Sequence, residues 1–442
     1  MTLNNASANL SALNTPSFFT SAKVIHDACL SSYPDGTSPR NNLYDVVIVG
    51  GGAAGIGIAA NLRRRQPKLR IAIIEPSEAH YYQPAWTLVG GGSFRTSDSI
   101  KPTAALIPQG VTWLKKSVIG FEPNNQRVLV NQGPAINYHY LVVATGLQLN
   151  WQAIRGLPQA LGKHGVTSNY CFHLAPYTWS LVKGLQSGRA IFTQPPAPIK
   201  CPGSPQKAMY LSCHHWETRK VLKNISIDFH SASTTLYNVS DFVPILMNYV
   251  DRYHAGLHFQ SNLIAVDGAT KTACFEVKDS DGKIQQIEKS FDLLHIVPPQ
   301  KPQDCVKESS LANAEGWVDV DPYTLQHLRH PNIFSLGDAC STPNAKTMAA
   351  IRKQIVVVAK NLLAQRAGLQ LDARYDGYGA CPLTVEKGKV VLAEFGFNGK
   401  LLPTFPNLID PLSANRLAWA LKKTALPQIY WHIMLKGHEW LT

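Results

Sequence analysis

A glycine-rich turn between a buried strand and an alanine-rich helix is the first clue to the fold. A second stretch of alternating strand and helical patterns, and a late strand ending in Gly337-Asp338, are the others. Together they predict an α/β chain of two Rossmann-like dinucleotide-binding domains, with an amphipathic membrane-interface segment at the C-terminus. The chain has 442 residues, room for two or three domains of about 150 residues each. Apolar residues make up 45%, which rules out disorder for most of it. Eight cysteines are too few for a disulfide scaffold of this size. The formal charge is +13 although only 16% of residues are charged, against about 25% in ordinary soluble domains. The excess therefore reflects missing acid as much as added base. Such charge meets nucleic acid or an anionic membrane, and no nucleic-acid module or basic–aromatic stripe is present.

Residues 1–42, rich in Ser, Asn, Thr and Pro, read as a flexible leader that is poor in arginine for a targeting presequence. Residues 43–155 form the first part of the nucleotide-binding domain. Val46, Val47, Ile48 and Val49 make a short apolar run of parallel-strand character. Gly50-Gly51-Gly52-Ala53-Ala54-Gly55 follows and fits G-x-G-x-x-G. Gly50 permits the tight turn, Gly52 lets a pyrophosphate approach the backbone, and Gly55 allows close helix–strand contact, while the helix N-terminus favours phosphate. A second strand, Ile71–Ile74, ends in Glu75, 20 residues beyond Gly55, where an acid accepts from ribose hydroxyls.

Two later features favour FAD over NAD. Leu141-Val142-Val143-Ala144-Thr145-Gly146 is a strand running into a small-residue turn, and the strand Asn332–Leu336 ends in Gly337-Asp338. The Asp338 carboxylate would meet a second polyol, and Gly337-Asp338 is expected to open a helix toward the cofactor. A helix is expected from about Thr347 to Arg366. Both features resemble the glutathione reductase-type flavoprotein fold. Residues 315–380 then form the second part of the FAD-binding domain, and 381–442 the C-terminal region.

Residues 156–314 read as the second Rossmann-like domain, where a nicotinamide-dependent member of that fold needs another glycine turn. After the strand Arg189–Thr193 the chain instead reads Gln194-Pro195-Pro196-Ala197-Pro198-Ile199-Lys200-Cys201-Pro202-Gly203-Ser204-Pro205. Each proline removes a backbone N–H, so an amide cradle for pyrophosphate is dismantled, and a thiol stands in its place. The partner thiol should come from another loop reaching the flavin, and Tyr375–Leu383, carrying Cys381, is such a loop. No early C-x-x-x-x-C pair exists, since no cysteine lies between Cys29 and Cys171. Cys171, Cys213, Cys274, Cys305 and Cys340 read as structural, free cysteine behaving as a small hydrophobe. Cys213-His214-His215 is not expected to hold a metal, because consecutive helical residues diverge by about 100°.

Residues 411–442 carry Leu417, Ala418, Leu421 and Ala425 at helical spacing, with Arg416, Lys422 and Lys423 beside them. Pro427 is expected to break this helix and start a second, Gln428–Lys436. Three tryptophans, Trp419, Trp431 and Trp440, fall here. No apolar stretch reaches the roughly 20 residues needed to span a bilayer, so the pair is expected to lie at a membrane interface with its basic edge toward anionic lipid.

These motifs resemble the sulfide:quinone oxidoreductase family, in the type that includes the mitochondrial enzyme. The carrying residues are Val49–Gly55, Tyr82–Gly90, Lys200–Lys207, Leu336–Asp338, Lys346-Thr347 and Asp376–Leu383. The resemblance runs from about Tyr44 to the C-terminus, and the two cysteine loops are its most specific part. It implies FAD held at Gly52, Ala53, Glu75, Gln83, Val118, Asp338, Lys346 and Thr347. It implies Cys201 and Cys381 as the redox pair, bridged at rest by a disulfide or an extra sulfane sulfur. The expected partners are hydrogen sulfide, ubiquinone or a related membrane quinone, and a small sulfur acceptor such as glutathione, sulfite, cyanide or sulfide. A peripheral location on a bacterial or mitochondrial inner membrane follows; a homo-oligomer is left open. The alternatives are a type-II NADH:quinone oxidoreductase-like enzyme, against which the proline loop argues, and a catalytically silent flavoprotein used as a binding module.

Overall fold

The computed structural model describes residues 42–440, so the expected leader, all but its last residue, lies outside the described residues. The first sheet places Leu43–Val49 at its centre. Ile71–Ile74 and then Val111–Leu114 lie on one side and Ile136–Val143 on the other, all parallel. The second half of Ile136–Val143 pairs in parallel with Ile333–Ser335, and its start pairs antiparallel with Arg127–Val130. Residues almost 300 positions apart in sequence thus share one sheet. Val46, Val47, Ile48 and all of Ile71–Ile74 are buried, as a sheet covered on both faces requires.

The helix Ala53–Arg65 follows the glycine turn and packs on the long helix Met348–Arg366. The crossing is so close that a Cβ on Gly57 would lie 2.4 Å from Ile355 Cδ1. The long helix starts where its expected cap stands: the Thr347 hydroxyl accepts from the Ala350 N–H, a stabilisation of about 1 kcal/mol. Gly337-Asp338, however, opens only a 3-10 turn, Gly337–Ala339, and eight residues of irregular chain precede the helix proper. Gly337 has φ +75°, so the chain reverses there instead of entering a helix.

The second sheet is fully parallel, in the order Val166–Thr167, Leu293–His295, Gly188–Gln194, Ile225–Ser231 and Gly256–His258. Between Gly256–His258 and Leu293–His295 the chain inserts an antiparallel sheet of Ser261–Asp267, Thr272–Lys278 and Ile284–Ser290.

The C-terminal region differs from expectation in three ways. Cys381 sits on a strand, Gly379–Glu386, paired with Lys389–Phe395, and not in a loop; the expected boundary after residue 380 falls inside this strand. Pro427 does not break the helix. Arg416–Ala420, Leu421–Ala425 and Leu426–His432 run on as one helical stretch whose middle turn is a π-helix. Pro427 lies directly after the π turn, where the regular hydrogen-bond pattern is already interrupted. The wide turn shifts the helical phase and carries Lys422 inward, to 6% exposure. Tyr430, Trp431, Met434 and Leu435 are likewise buried in the core of the first sheet's domain. What stays apolar and exposed is an edge at Leu408, Leu412 and Leu417. Among the described residues no helix is long and apolar enough to cross a membrane.

Candidate active site

One cavity of about 500 Å³ runs between the glycine turn, the cysteine loop and the C-terminal helix. Gly50, Gly52, Ala53, Ala54, Glu75, Gln83, Thr145, Asp338, Lys346 and Thr347 all line it. Gly55 does not; it lies beneath the turn, where a Cβ would stand 1.8 Å from the Gly50 carbonyl oxygen. Val118 also stays outside, on the strand Val118–Glu122, packed against the core under the first sheet.

The nucleotide end is built for a phosphate-rich ligand. Gly50 takes φ +102°, and a Cβ there would meet the Ala144 oxygen at 2.4 Å. A Cβ on Gly52 would meet nothing within 4 Å, so the turn is open toward the cavity at the helix N-terminus. Glu75 Oε2 accepts from the Gly51 N–H at 2.7 Å and Oε1 from the Ser77 N–H at 2.7 Å, which fixes the carboxylate at the rim. The Thr145 hydroxyl, the Trp86 indole N–H and both polar atoms of the Asn169 amide are buried without a partner among the described residues. All three side chains line the cavity, and buried polar atoms normally have partners. This donor and acceptor set fits FAD.

At the other end of the nucleotide region stand Asp338, Lys346 and Lys200. Burial pushes the Asp338 carboxyl up, opposed by Lys346 and Lys200. Lys346 Nζ donates to the Asp338 and Cys340 carbonyls at 3.0 and 2.9 Å and lies over the Trp317 ring. Lys200 Nζ bonds to Gln83 Oε1, and burial lowers its pKa.

Cys201 and Cys381, 180 residues apart in sequence, meet with their Sγ atoms 3.5 Å apart. The cysteine loop is tied down from both sides. The Cys201 N–H donates to the Lys346 carbonyl at 2.9 Å, and the Tyr170 hydroxyl donates to the Lys200 carbonyl at 2.9 Å. Cys201 itself has φ +48°, a conformation non-glycine residues adopt at a cost. The helix Ser204–Thr218 starts just beyond it, so the thiol faces a helix N-terminus. Gly203 is what lets the strand come this near: a Cβ there would lie 2.1 Å from Leu383 Cδ2 and 2.7 Å from Cys381 Sγ.

Lys207, one turn into that helix and 3% exposed, places Nζ 3.0 Å from Cys201 Sγ and 3.6 Å from Cys381 Sγ. The hydrogen bond from the Cys381 thiol, together with the Lys207 ammonium, holds the Cys201 pKa well below its ordinary value against the cost of burial. The same pairing with Cys201, with burial, pushes the Cys381 thiol up. Burial opposes the charge on Lys207, yet the Cys201 and Cys381 sulfurs hold its pKa up to about 12. The site is a thiolate beside a fixed cation, next to a thiol.

Sequence reasoning missed several lining residues. Tyr170 and Asn169 fall in an irregular stretch with no motif to mark them. Lys422, expected to face lipid, donates to the Pro382 carbonyl at 2.8 Å and to the Thr384 hydroxyl. Burial first, and then Lys207, lower its pKa well below the ordinary value. Glu394 reaches the cavity from the strand paired with that of Cys381. Cys340 makes no contact with the pair: it is buried, its thiol against the Gly337 carbonyl at 3.1 Å. Cys213 is buried in the middle core, while His214 approaches Glu217 and Glu386 and His215 packs on Trp179.

Fold and site together define an FAD-dependent oxidoreductase of the dithiol class, and the pyridine nucleotide-disulphide oxidoreductase family model matches residues 44–182. The mitochondrial sulfide:quinone oxidoreductase of Dictyostelium discoideum is 40% identical over 399 residues, 90% of this chain and 87% of that protein. The one from Mus musculus is 36% identical over 397 residues, with the same shares. The X-ray structure of the sulfide:quinone oxidoreductase from the hyperthermophilic bacterium Aquifex aeolicus shares the fold. Its TM-score is 0.73 over 89% of this chain and 92% of that one, at 19% identity. The chain belongs to the sulfide:quinone oxidoreductase family.

Proposed function

We propose that this chain oxidises hydrogen sulfide to sulfane sulfur at Cys201 and Cys381 and passes the electron pair, by way of FAD, to a membrane quinone. The observation that carries this reading is the pair of sulfurs at 3.5 Å, with Lys207 at 3.0 Å from Cys201 and both Cys201 and Lys207 lining a nucleotide-binding cavity. The loop that replaces the second glycine turn supplies one of the two thiols, which argues against a nicotinamide donor.

Gly50, Gly52, Ala53 and the Ala53–Arg65 helix N-terminus would hold the FAD pyrophosphate, Glu75 a ribose, and Asp338, Lys346 and Thr347 the polyol and ring end. When bound, FAD supplies a two-electron acceptor beside Cys201. In the resting state the sulfurs are bridged, and their spacing accommodates one extra sulfur: two S–S bonds of about 2.05 Å would span about 3.3 Å. Hydrosulfide attacks the bridge at Cys381. One S–S bond forms there, the bond to the Cys201 side breaks, and Cys201 leaves as a thiolate or persulfide anion. Lys207 lowers the cost of that anion by a charge-assisted contact. Tyr170 keeps the loop carbonyls in place, so that the Cys201 sulfur stays on the cavity. The sulfane sulfur then goes to a small acceptor, for which glutathione, sulfite, cyanide and a second sulfide are the chemical candidates.

The protein would sit peripherally on a membrane through the Leu408, Leu412 and Leu417 edge, beside which Arg416 and Lys423 lie. The relatives named as mitochondrial favour the mitochondrial inner membrane. The test is anaerobic addition of sulfide to the purified holoprotein. The flavin should bleach in the wild type and not in Cys201→Ser or Cys381→Ser. Bleaching of Cys201→Ser at the wild-type rate would sink the assignment.

A further inference from the structure

Reducing a quinone to a quinol takes two electrons and two protons, whereas oxidising hydrosulfide to sulfane sulfur yields two electrons and one proton. One proton per turnover must therefore come from solvent, and it has to reach an oxygen inside the cavity. We propose that Glu394 donates a proton to the quinone and is reprotonated through the hydroxyls of Thr404 and Tyr378. This rests on the reading that the cavity takes a quinone.

The strand Gly379–Glu386 separates two environments. Side chains alternate along a strand: Cys381, Leu383 and Val385 pack into the middle core, whereas Ala380 and Pro382 line the cavity. In the partner strand Glu394 stands directly opposite Ala380 and lines the cavity with it. Around it the cavity is lined by Pro382, Leu392, Phe405, Leu421, Leu426 and Ile429, with Lys422 among them; this mostly apolar arm is a surface suited to a lipid-soluble ring. Among the described residues lining the cavity there are three carboxylates, and the other two, Glu75 and Asp338, belong to the nucleotide region. Glu394 is the acid of this arm.

Its connections suit a relay. Glu394 is 3% exposed. Its Oε1 accepts from the hydroxyls of Tyr378 and Thr404, and its Oε2 accepts from the Thr404 N–H at 2.9 Å. The two hydroxyl oxygens are themselves 3.1 Å apart. Thr404 is half-buried, which gives the relay a side toward solvent. Behind Tyr378 lie Lys353, 4.5 Å from the ring centre, and its partner Asp376 at the surface. In the step, the O–H bond of the Glu394 carboxylic acid breaks and an O–H bond to the quinone forms, while the electron pair comes from sulfide through FAD. The carboxylate then takes a proton from one hydroxyl, which regains it from water. A buried carboxyl group that lines the cavity and is tied to two hydroxyls has the connections that proton transfer to a bound quinone needs.

Stopped-flow measurement of the two half-reactions on the holoprotein tests this. In Glu394→Gln, reduction of the flavin by sulfide should keep the wild-type rate. Reoxidation by a short-chain quinone should slow by roughly 10²-fold, the usual scale for loss of a general acid. Reoxidation by ferricyanide, which takes no protons, should be unchanged. Thr404→Val should slow the quinone step alone, and formate should restore it in Glu394→Ala. The relay is overturned if Glu394→Gln reoxidises with quinone at the wild-type rate, or if the quinone and ferricyanide steps slow together. A wild-type flavin that quinone cannot reoxidise at all would instead remove the underlying reading, and the relay with it.

Discussion

Replacing Lys207 with methionine keeps the length of the side chain and removes its charge. The ammonium lies 3.0 Å from Cys201 Sγ. At an effective dielectric constant of about 20, a full charge pair at that distance is worth about 5 kcal/mol, as an upper figure. The Cys381 thiol and, after it, the Lys207 ammonium hold the Cys201 pKa well below its ordinary value against burial, so part of that lowering is expected to belong to Lys207. The sign is fixed: the cation stabilises the thiolate, and its removal raises the Cys201 pKa. The assay is the rate of iodoacetamide alkylation of the fully reduced protein against pH. Cys381 is fully buried, so the reactive thiol is Cys201. Lys207→Met should move the alkylation midpoint to higher pH, and Lys207→Arg should move it far less. A Lys207→Met profile that superimposes on the wild type would refute the electrostatic account and leave Lys207 a packing residue.

Gly203→Ala puts a methyl group 2.7 Å from Cys381 Sγ; thermal denaturation should show a loss of about 1–3 kcal/mol, and thiol titration after mild oxidation should show slower bridging. His80, bonded between the Gly51 carbonyl and the Tyr430 hydroxyl, has its pKa pushed down to about 4 by burial. Its neutral form therefore contributes stability that is complete above the unfolded value near 6.5 and is lost as pH falls toward 4, about 3 kcal/mol in all. His80→Gln should flatten the fall of the melting temperature over that window. Leu408 and Leu417 are 70% and 53% exposed; the double change to Glu should weaken sedimentation with anionic vesicles at least tenfold, since each buried leucine is worth about 2 kcal/mol. Unchanged sedimentation would place the membrane edge elsewhere.

The nucleotide half of the site was legible because its chemistry is local. The glycine turn, Glu75, the Thr145 turn and Thr347 each announce themselves within a few residues, and the backbone demands there are met by residue type alone. Cys201 was legible from the proline loop, because prolines dismantle an amide cradle wherever they fall in space, whereas Cys381 was expected in a loop and stands on a strand. Lys422 and Glu394 were not legible, and the reasons differ. Lys422 sits on a helix whose pattern reads as amphipathic at 3.6 residues per turn, and only the π turn, which the sequence does not mark, rotates it inward. Glu394 lies in Lys389–Phe395, where burial on both faces removes the alternation that would have separated an inward acid from an outward one. Val118 shows the reverse case: carried over by resemblance, it stands outside the cavity because its strand pairs at the far edge of the sheet.

The C-terminal helix is where the fold explains more than its apolar edge. A segment that merely anchored the protein would need one face to lipid and no partners inside. This one sends Lys422 to the Pro382 carbonyl and Thr384 hydroxyl of the Cys381 strand, and Tyr430 to His80 next to the glycine turn. It therefore borders both the dithiol strand and the nucleotide loop while lining the apolar arm of the cavity. Truncation before residue 411 would remove Tyr430, Trp431 and Leu435 from the core, so it tests folding and not membrane attachment. Point changes on the exposed edge separate the two, because Leu408 and Leu417 bury little and the inward residues stay in place.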